Sequence, residues 1–217
     1  MTILSRLLTA GIKQIGVPID VTQHQKLLDY QILLAKWNGV YNLTAIHDSR
    51  QILIQHVLDS LSILPRLMHE SIHRILDVGS GGGLPGIILA IACPDWQITV
   101  NDIVRKKTAF LIQAKGVLEL PNVTVVTGRV EQCKIGEEIP VFFDAIVSRA
   151  FSDLSNFIRL TRHLLAPEAN IWAMKGLVSD DELAQIPEDS QLLECIPLHV
   201  PFLEAKRHLL RIKVDIV

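Results

Sequence analysis

The 217-residue sequence predicts an α/β fold: a mostly parallel sheet with helices on both faces, a C-terminal antiparallel hairpin and an N-terminal helical region. Three observations predict it. From residue 72 onward, short apolar runs rich in branched side chains alternate with segments of helical period, the pattern of repeated βα units. The runs 192–200 and 208–217 have only a polar loop, 201–207, between them, so they should pair as a hairpin. Residues 1–68 carry apolar side chains at helical spacing and no strand pattern, which makes them a helical cap on a core spanning 72–217 within one domain.

In chain order, residues 1–15 read as a short amphipathic helix broken by Arg6, Lys13 and Gln14, too interrupted for a signal peptide. Thr22 is a plausible N-cap for a helix to Asn38 with apolar positions Leu27, Leu28, Ile32, Leu34 and Ala35. A polar loop, 39–44, ends it. Asp48 then opens a helix carrying Ile52, Ile54, Val57, Leu58, Leu61 and Leu64, up to Pro65. This cap should cover one side of a ligand cleft, or else act as a structural cover alone.

The core begins with a strand over 72–78 that runs into Gly79, Ser80, Gly81, Gly82, Gly83 and then an apolar helix over 84–93. Glycines at 79, 81 and 83 can take positive φ and admit a ligand close to the backbone, while the N–H groups opening the helix point into the same space. Two readings compete. Gly81, Gly83 and Gly86 fit a dinucleotide spacing, with Asp102 near the expected ribose acid. Counted from Gly79, the turn instead leaves the carboxylate of Asp77 at the strand's end, where it would repel a pyrophosphate. An acid there suits S-adenosylmethionine, which is positive at its sulfonium and amino group and has no phosphate.

Further strands are expected at 97–101, 123–127, 143–147 and 170–174, with helices at 104–116 and 154–165. A parallel sheet closed by one hairpin is the arrangement of class I S-adenosylmethionine-dependent, Rossmann-like methyltransferases. The strand ends should share the edge where open α/β sheets bind ligands. Asp102 there can hold two ribose hydroxyls or cap the following helix. Val130 and Glu131 can flank an adenine or form a solvated turn. Arg149 can anchor a carboxylate, touch substrate, or pair with Asp77 or Asp144. Lys175 raises the same choice.

Composition narrows the partners. A formal net charge of −2 gives no global sign of a polyanionic ligand, so any RNA surface must be local. Local basic clusters exist: Arg105 to Lys107; Arg159, Arg162 and His163; and Lys206, Arg207, His208, Arg211 and Lys213. Cys93, Cys133 and Cys195 are odd in number and far apart, which argues for reduced thiols and a cytoplasmic address. The eight histidines show no metal-ligand spacing, so no metal is expected. No apolar run approaches the roughly 20 residues that span a bilayer, so no membrane is expected either.

Taken together, ILDVGSGGGLPG at 75–86, HVLDSL at 56–61, RKKTAFL at 105–111, SRAF at 148–151, MKG at 174–176, RHL at 207–209 and Asn42 to Thr44 give a resemblance over nearly the whole chain. The sequence resembles the bacterial small-subunit ribosomal RNA methyltransferase G family, also called glucose-inhibited division protein B. That resemblance implies methyl transfer from S-adenosylmethionine to N7 of one guanine in 16S ribosomal RNA, within a 30S subunit or its precursor. It implies cofactor residues at Gly79, Leu84, Val130, Glu131 and Arg149, with Asp102 at the ribose position; Asp77 at the strand's end and Gly81 and Gly83 in the turn join them from the reading of the turn itself. His56, Asp59, Lys175, Arg207 and His208 are candidates for holding RNA, and no general base is named. Two positions depart from the family pattern: Ile103 stands where serine is usual, and Lys206 where glutamate is expected before Arg-His-Leu. A methyltransferase acting on a protein or small molecule, and a non-catalytic adenosyl-cofactor sensor, are the alternatives.

Overall fold

A computed structural model describes residues 2–149, 151 and 153–215. Its seven-stranded sheet has the order β3-β2-β1-β4-β5-β7-β6, with β1 (Arg74–Val78), β2 (Gln97–Asp102), β3 (Val123–Thr127), β4 (Phe143–Ser148), β5 (Leu165–Lys175), β6 (Ser190–Leu198) and β7 (Arg207–Val214). The first five strands pair in parallel, and β7 lies antiparallel to both β5 and β6. The expected hairpin forms, starting two residues earlier than predicted in β6; residues 216 and 217 of its second strand lie outside the described residues. Pro197 is tolerated because β6 is an edge strand.

Successive side chains of a strand face opposite sides, and the sheet's two cores follow that parity. Ile75, Ile98, Val100, Val147 and Trp172 belong to one core with the N-terminal helices, α6 (Gly86–Ala92) and α7 (Arg105–Val117). Leu76, Val78, Ile146 and Ile171 belong to the other, under α8 (Leu154–Thr161). The same alternation sends Asp77 and Asp102 to the cap's side. It is why the cap meets the glycine turn at all.

The cap consists of α1 (Ile3–Ile15), α2 (Val21–Tyr41), α3 (Ser49–Ile52), a π-helical segment (Leu53–Leu58), α4 (Asp59–Leu61) and α5 (Leu64–Leu67). Leu27, Leu34, Leu58 and Leu61 are fully buried in the core shared with the sheet. At about 1.5–3 kcal/mol for each such side chain, the cap is bound to the sheet and not merely tethered. Asp20, not Thr22, caps α2: its carboxylate accepts from Gln23 N while the Gln23 side chain accepts from Asp20 N, a reciprocal capping box. The helix also runs through Gly39 to Tyr41 and ends at Asn42 with φ 50°. Gly39, Val40 and Tyr41, read as part of a loop, are thus its exposed last turn. Asp48 caps α3 as expected, accepting from Gln51 N at 2.8 Å.

Two other departures have local causes. β5 starts at Leu165, where a strand was expected only from residue 170, because Leu165 pairs with Phe143 before the chain bulges past Pro167 and Glu168 to rejoin at Asn170. A short helix, α9 (Asp180–Leu183), capped by Ser179, follows β5 where no element was predicted.

Candidate functional site

The strand order reverses at β1, and the carboxyl ends of β1, β2 and β4 open onto a crevice there. Gly79, Gly81 and Gly83 have φ of 69°, 58° and 87°, so the turn uses the left-handed conformations its glycines allow. Backbone bonds close it: Gly83 N and Leu84 N donate to Ser80 O at 2.8 and 2.9 Å, and Ser80 N donates to Asn101 O at 2.9 Å. The cap reaches it through Tyr30, whose hydroxyl donates to Gly82 O at 2.6 Å. Tyr30 is fully buried, and burial raises its phenol above the ordinary range.

Asp77 lies beneath this turn with no exposed surface. Gly86 N donates to its Oδ2 at 2.8 Å, while Oδ1 has no hydrogen-bond partner among the described residues. Burial pushes the carboxyl up to about 6, against the opposing pull of the nearby Ser80 hydroxyl, the Gly86 N–H bond and the Arg149 charge. It lines none of the cavities described below, so its role in this structure is to brace α6 and put negative potential behind the turn. Asp102 does face the crevice. Its Oδ2 accepts from Gly81 N at 2.9 Å and its Oδ1 from Val104 N at 2.8 Å. Asp102 does not cap α7, whose start has no side-chain cap; it closes the turn before that helix, ties it to the glycine turn and keeps lone pairs for a ligand.

Two adjoining cavities follow the turn. One, of about 310 Å3, is lined by Val78, Gly79, Asn101, Asp102, Ile103, Val130 and Glu131 among others. The second, of about 220 Å3, lies between the turn and the cap, against Leu34, Leu43, Thr44, His56, Leu84, Lys107 and Arg149. Both touch Gly79 and Lys107. The residues expected at 79, 81, 84, 102, 130, 131 and 149 are thus gathered here. Gly83 lines neither cavity; its role is packing, since a Cβ on it would lie 2.4 Å from Ile87 Cγ1.

A third cavity, of about 320 Å3, opens across Arg149 and His56 and is walled by Gln55, Asp59, Met174, Lys175, Gly176 and Arg207. Arg149 separates the second cavity from the third. Its Nη1 donates to Gln55 O at 2.9 Å and to Asp59 Oδ2 at 3.1 Å, and Arg207 Nε donates to Asp59 Oδ1 at 3.0 Å. Neither expected structural partner is used: Asp77 only feels the charge, and Asp144 pairs with Arg74. Asp59, expected to hold RNA, is only 1% exposed with both oxygens engaged by arginines, so its contacts here fix those arginines at the cavity wall. Gln55, His56 and Asp59 sit on or beside the π-helical segment, whose wider turn presents the Gln55 carbonyl to Arg149.

The other RNA candidates also have intramolecular partners. His56 places Nε2 at 2.8 Å from Thr44 Oγ1 and Nδ1 at 3.2 Å from Arg149 Nη2 and 2.9 Å from Gln55 O. Burial first, then the Arg149 charge, lowers its pKa to about 4, so the ring is neutral at pH 7. Lys175 Nζ donates to Phe151 O at 3.0 Å and pairs with Glu182. His208 Nδ1 lies 3.0 Å from Gly176 O. Tyr30 and Gln55, which also form this site, are not singled out by the sequence, and Thr44 stands out there only within the Asn-Leu-Thr segment.

The family model described as rRNA small subunit methyltransferase G matches residues 23–210. The chain belongs to that family. Ribosomal RNA small subunit methyltransferase G of Burkholderia multivorans is 56% identical over 98% of this chain and 93% of its own length. The Burkholderia lata protein of the same name is 57% identical with the same coverage. Solved structures share the fold at low identity: a mutant of MtNAS in complex with S-adenosylmethionine has a TM-score of 0.56 at 14% identity, over 86% of this chain and 72% of that one. TrmN from Thermus thermophilus has a TM-score of 0.53 at 15% identity, over 71% of this chain and 48% of that one. The fold is that of class I methyltransferases, and the cofactor of the family is S-adenosylmethionine. The residues present fit that group: a glycine turn over a buried acid, and a carboxylate at the end of β2. Among the described residues, no helix is long and apolar enough to cross a membrane, and no cluster of His, Cys, Asp or Glu could hold a metal ion.

Proposed function

We propose that this protein transfers a methyl group from S-adenosylmethionine to N7 of a guanine in 16S ribosomal RNA, acting in the cytoplasm on a 30S subunit or its precursor. The observation that carries the reading is the pair of cofactor-sized cavities joined at Gly79 and adjoining a third across Arg149 and His56. In it, Asp102 receives the ribose, Ile103, Val130 and Glu131 border the adenine, and Gly79, Gly81 and Leu84 line the methionyl end. The third cavity takes the target base, and residues 1–68 and 72–217 act as one catalytic unit.

When bound, S-adenosylmethionine supplies an electrophilic methyl group. Guanine N7 carries an in-plane lone pair and no proton at neutral pH, so no residue need act as a base. This agrees with a site whose one buried imidazole is neutral and already partnered by Thr44 and Arg149. The chain's contribution is orientation and charge: the cap and the Arg149 clamp fix the wall between the cavities, and Asp77 lends negative potential behind the turn. Ile103, in place of the usual serine, is 55% exposed beside Asp102, where an apolar side chain serves a purine face as well as a hydroxyl would. Lys206 adds to the exposed cations Arg50, Arg105 and Lys106 for phosphate contacts.

N7 faces a groove that is deep and narrow in A-form RNA, so the target must lie in an irregular fold. Recognition of rRNA already shaped by ribosomal proteins is the corresponding expectation. Mapping 7-methylguanine in small-subunit rRNA from a strain lacking this protein, with and without the chain restored, tests the function. Restoration of one modified guanine is expected, and methylation of naked transcript as fast as of 30S particles would remove the particle requirement. No change in rRNA methylation on restoration would overturn the proposal.

A further inference from the structure

Resting on that reading of the cavities, one more residue can be assigned. The methionyl end of the cofactor carries a carboxylate as well as its two positive groups, and a carboxylate drawn out of water needs a cation or several N–H donors. Two cations line the cavity between the glycine turn and the cap, Arg149 and Lys107. Arg149 has both Nη1 hydrogens committed, to Gln55 O and Asp59 Oδ2, and its Nη2 lies against His56. Lys107 is differently placed. It is in the first turn of α7, lines both cofactor cavities, and has its side chain 32% exposed. Its Nζ lies 3.7 Å from Asp102 Oδ2, an ion pair beyond hydrogen-bond length, and it donates no hydrogen bond among the described residues.

The Asp102 oxygen facing Lys107 is already bonded to Gly81 N, and in the bound state the same carboxylate would serve the ribose. Among the described residues only that long ion pair holds the ammonium in place. A four-carbon stem with three rotatable donors can turn from Asp102 toward the neighbouring cavity at little cost. We propose that Lys107 is the cation that receives the methionyl carboxylate, and that Arg149 is retained by Asp59 as the wall toward the target base. The carboxylate is unchanged by methyl transfer, so Lys107 holds donor and product alike.

Calorimetry with S-adenosylhomocysteine and with the same molecule lacking its carboxylate, 5′-deoxy-5′-(3-aminopropylthio)adenosine, tests this. A charge-assisted contact sets the wild-type preference for the carboxylated ligand at between about ten- and a hundredfold. In Lys107→Met that preference should collapse to within about threefold, while affinity for the decarboxylated ligand stays near wild type; Lys107→Arg should recover part of it. Circular dichroism and unchanged binding of the decarboxylated ligand show that the Met variant is folded. If Lys107→Met keeps the full preference, the assignment is wrong while the cavity reading stands. If the wild-type protein binds neither ligand, the cavity reading fails and the assignment with it.

Discussion

Replacing Asp77 by asparagine should shift stability in the variant's favour as pH rises. The carboxylate has no exposed surface, one hydrogen bond from Gly86 N and an oxygen without a partner among the described residues. Burial raises its pKa from 3.8 to about 6. The sign follows from proton linkage: a group whose folded pKa is raised contributes stability below its unfolded value and loses it as pH rises through the folded value. A rise of roughly two pKa units corresponds to about 3 kcal/mol lost by pH 8, about half of which is already lost at pH 5. Asparagine can keep the bond from Gly86 N and carries no charge to bury. Its amide N–H2 takes the unpartnered position at a cost of about 1–3 kcal/mol that does not vary with pH. The difference in unfolding free energy between variant and wild type, from urea titrations at pH 5 and pH 8, should therefore grow by about 1–2 kcal/mol in the variant's favour. The same substitution should weaken binding of S-adenosylmethionine more than of its uncharged-sulfur product, because the negative potential behind the turn is gone. A pH-independent difference, or equal loss for both ligands, would refute the argument.

Other perturbations test the remaining links. Tyr30→Phe strips the 2.6 Å bond to Gly82 O and leaves a buried carbonyl unpaired; a loss of about 1–2 kcal/mol in urea unfolding, with a severalfold rise in Kd for S-adenosylhomocysteine, is expected, and no change in either would detach the cap from the turn. Asp59→Asn leaves two arginines facing one another without an anion. It should cost about 2 kcal/mol, discounted because both arginines are about a quarter exposed, and more than Arg207→Gln, which leaves the Arg149 pair intact; the reverse order in thermal unfolding would contradict the clamp. The His56 ring should titrate near pH 4 by NMR. Because that pKa lies below the unfolded value, its contribution to stability is present above about pH 6.5 and fades as pH falls through 4; a midpoint near 6.5 would mean the ring is not enclosed as described.

The parts of this molecule governed by local chemistry were legible in the sequence. Short apolar runs alternating with segments of helical period, a glycine turn after Val78 and polar residues at the strand ends give the sheet, its order of elements and the edge where ligands bind. Asp102 could be read as a ribose acid or a helix-start residue because both roles need a short carboxylate at that spot, and the structure uses it for Gly81 and Val104 together. What escaped depends on pairs distant in sequence. Arg149 needs an anion, but no pattern reveals that the anion is Asp59, ninety positions away just past a π-helical turn. Tyr30 carries no signal of its own within a helical segment, because its hydroxyl's partner, Gly82, is fifty-two positions away. Asp77 was visible as an acid at a strand's end, yet its burial beneath α6 follows from strand parity combined with how closely Gly86 lets the helix approach.

A crystal structure of the full chain with S-adenosylhomocysteine would examine the central claim most directly. The account predicts the adenine beside Ile103 and Val130, the ribose hydroxyls on Asp102, and the sulfur above the Gly79 turn, directed toward the wall formed by Arg149 and His56. An adenosyl group lodged elsewhere, such as the cavity beside Glu70 and Trp172 at the other end of the sheet, would contradict it.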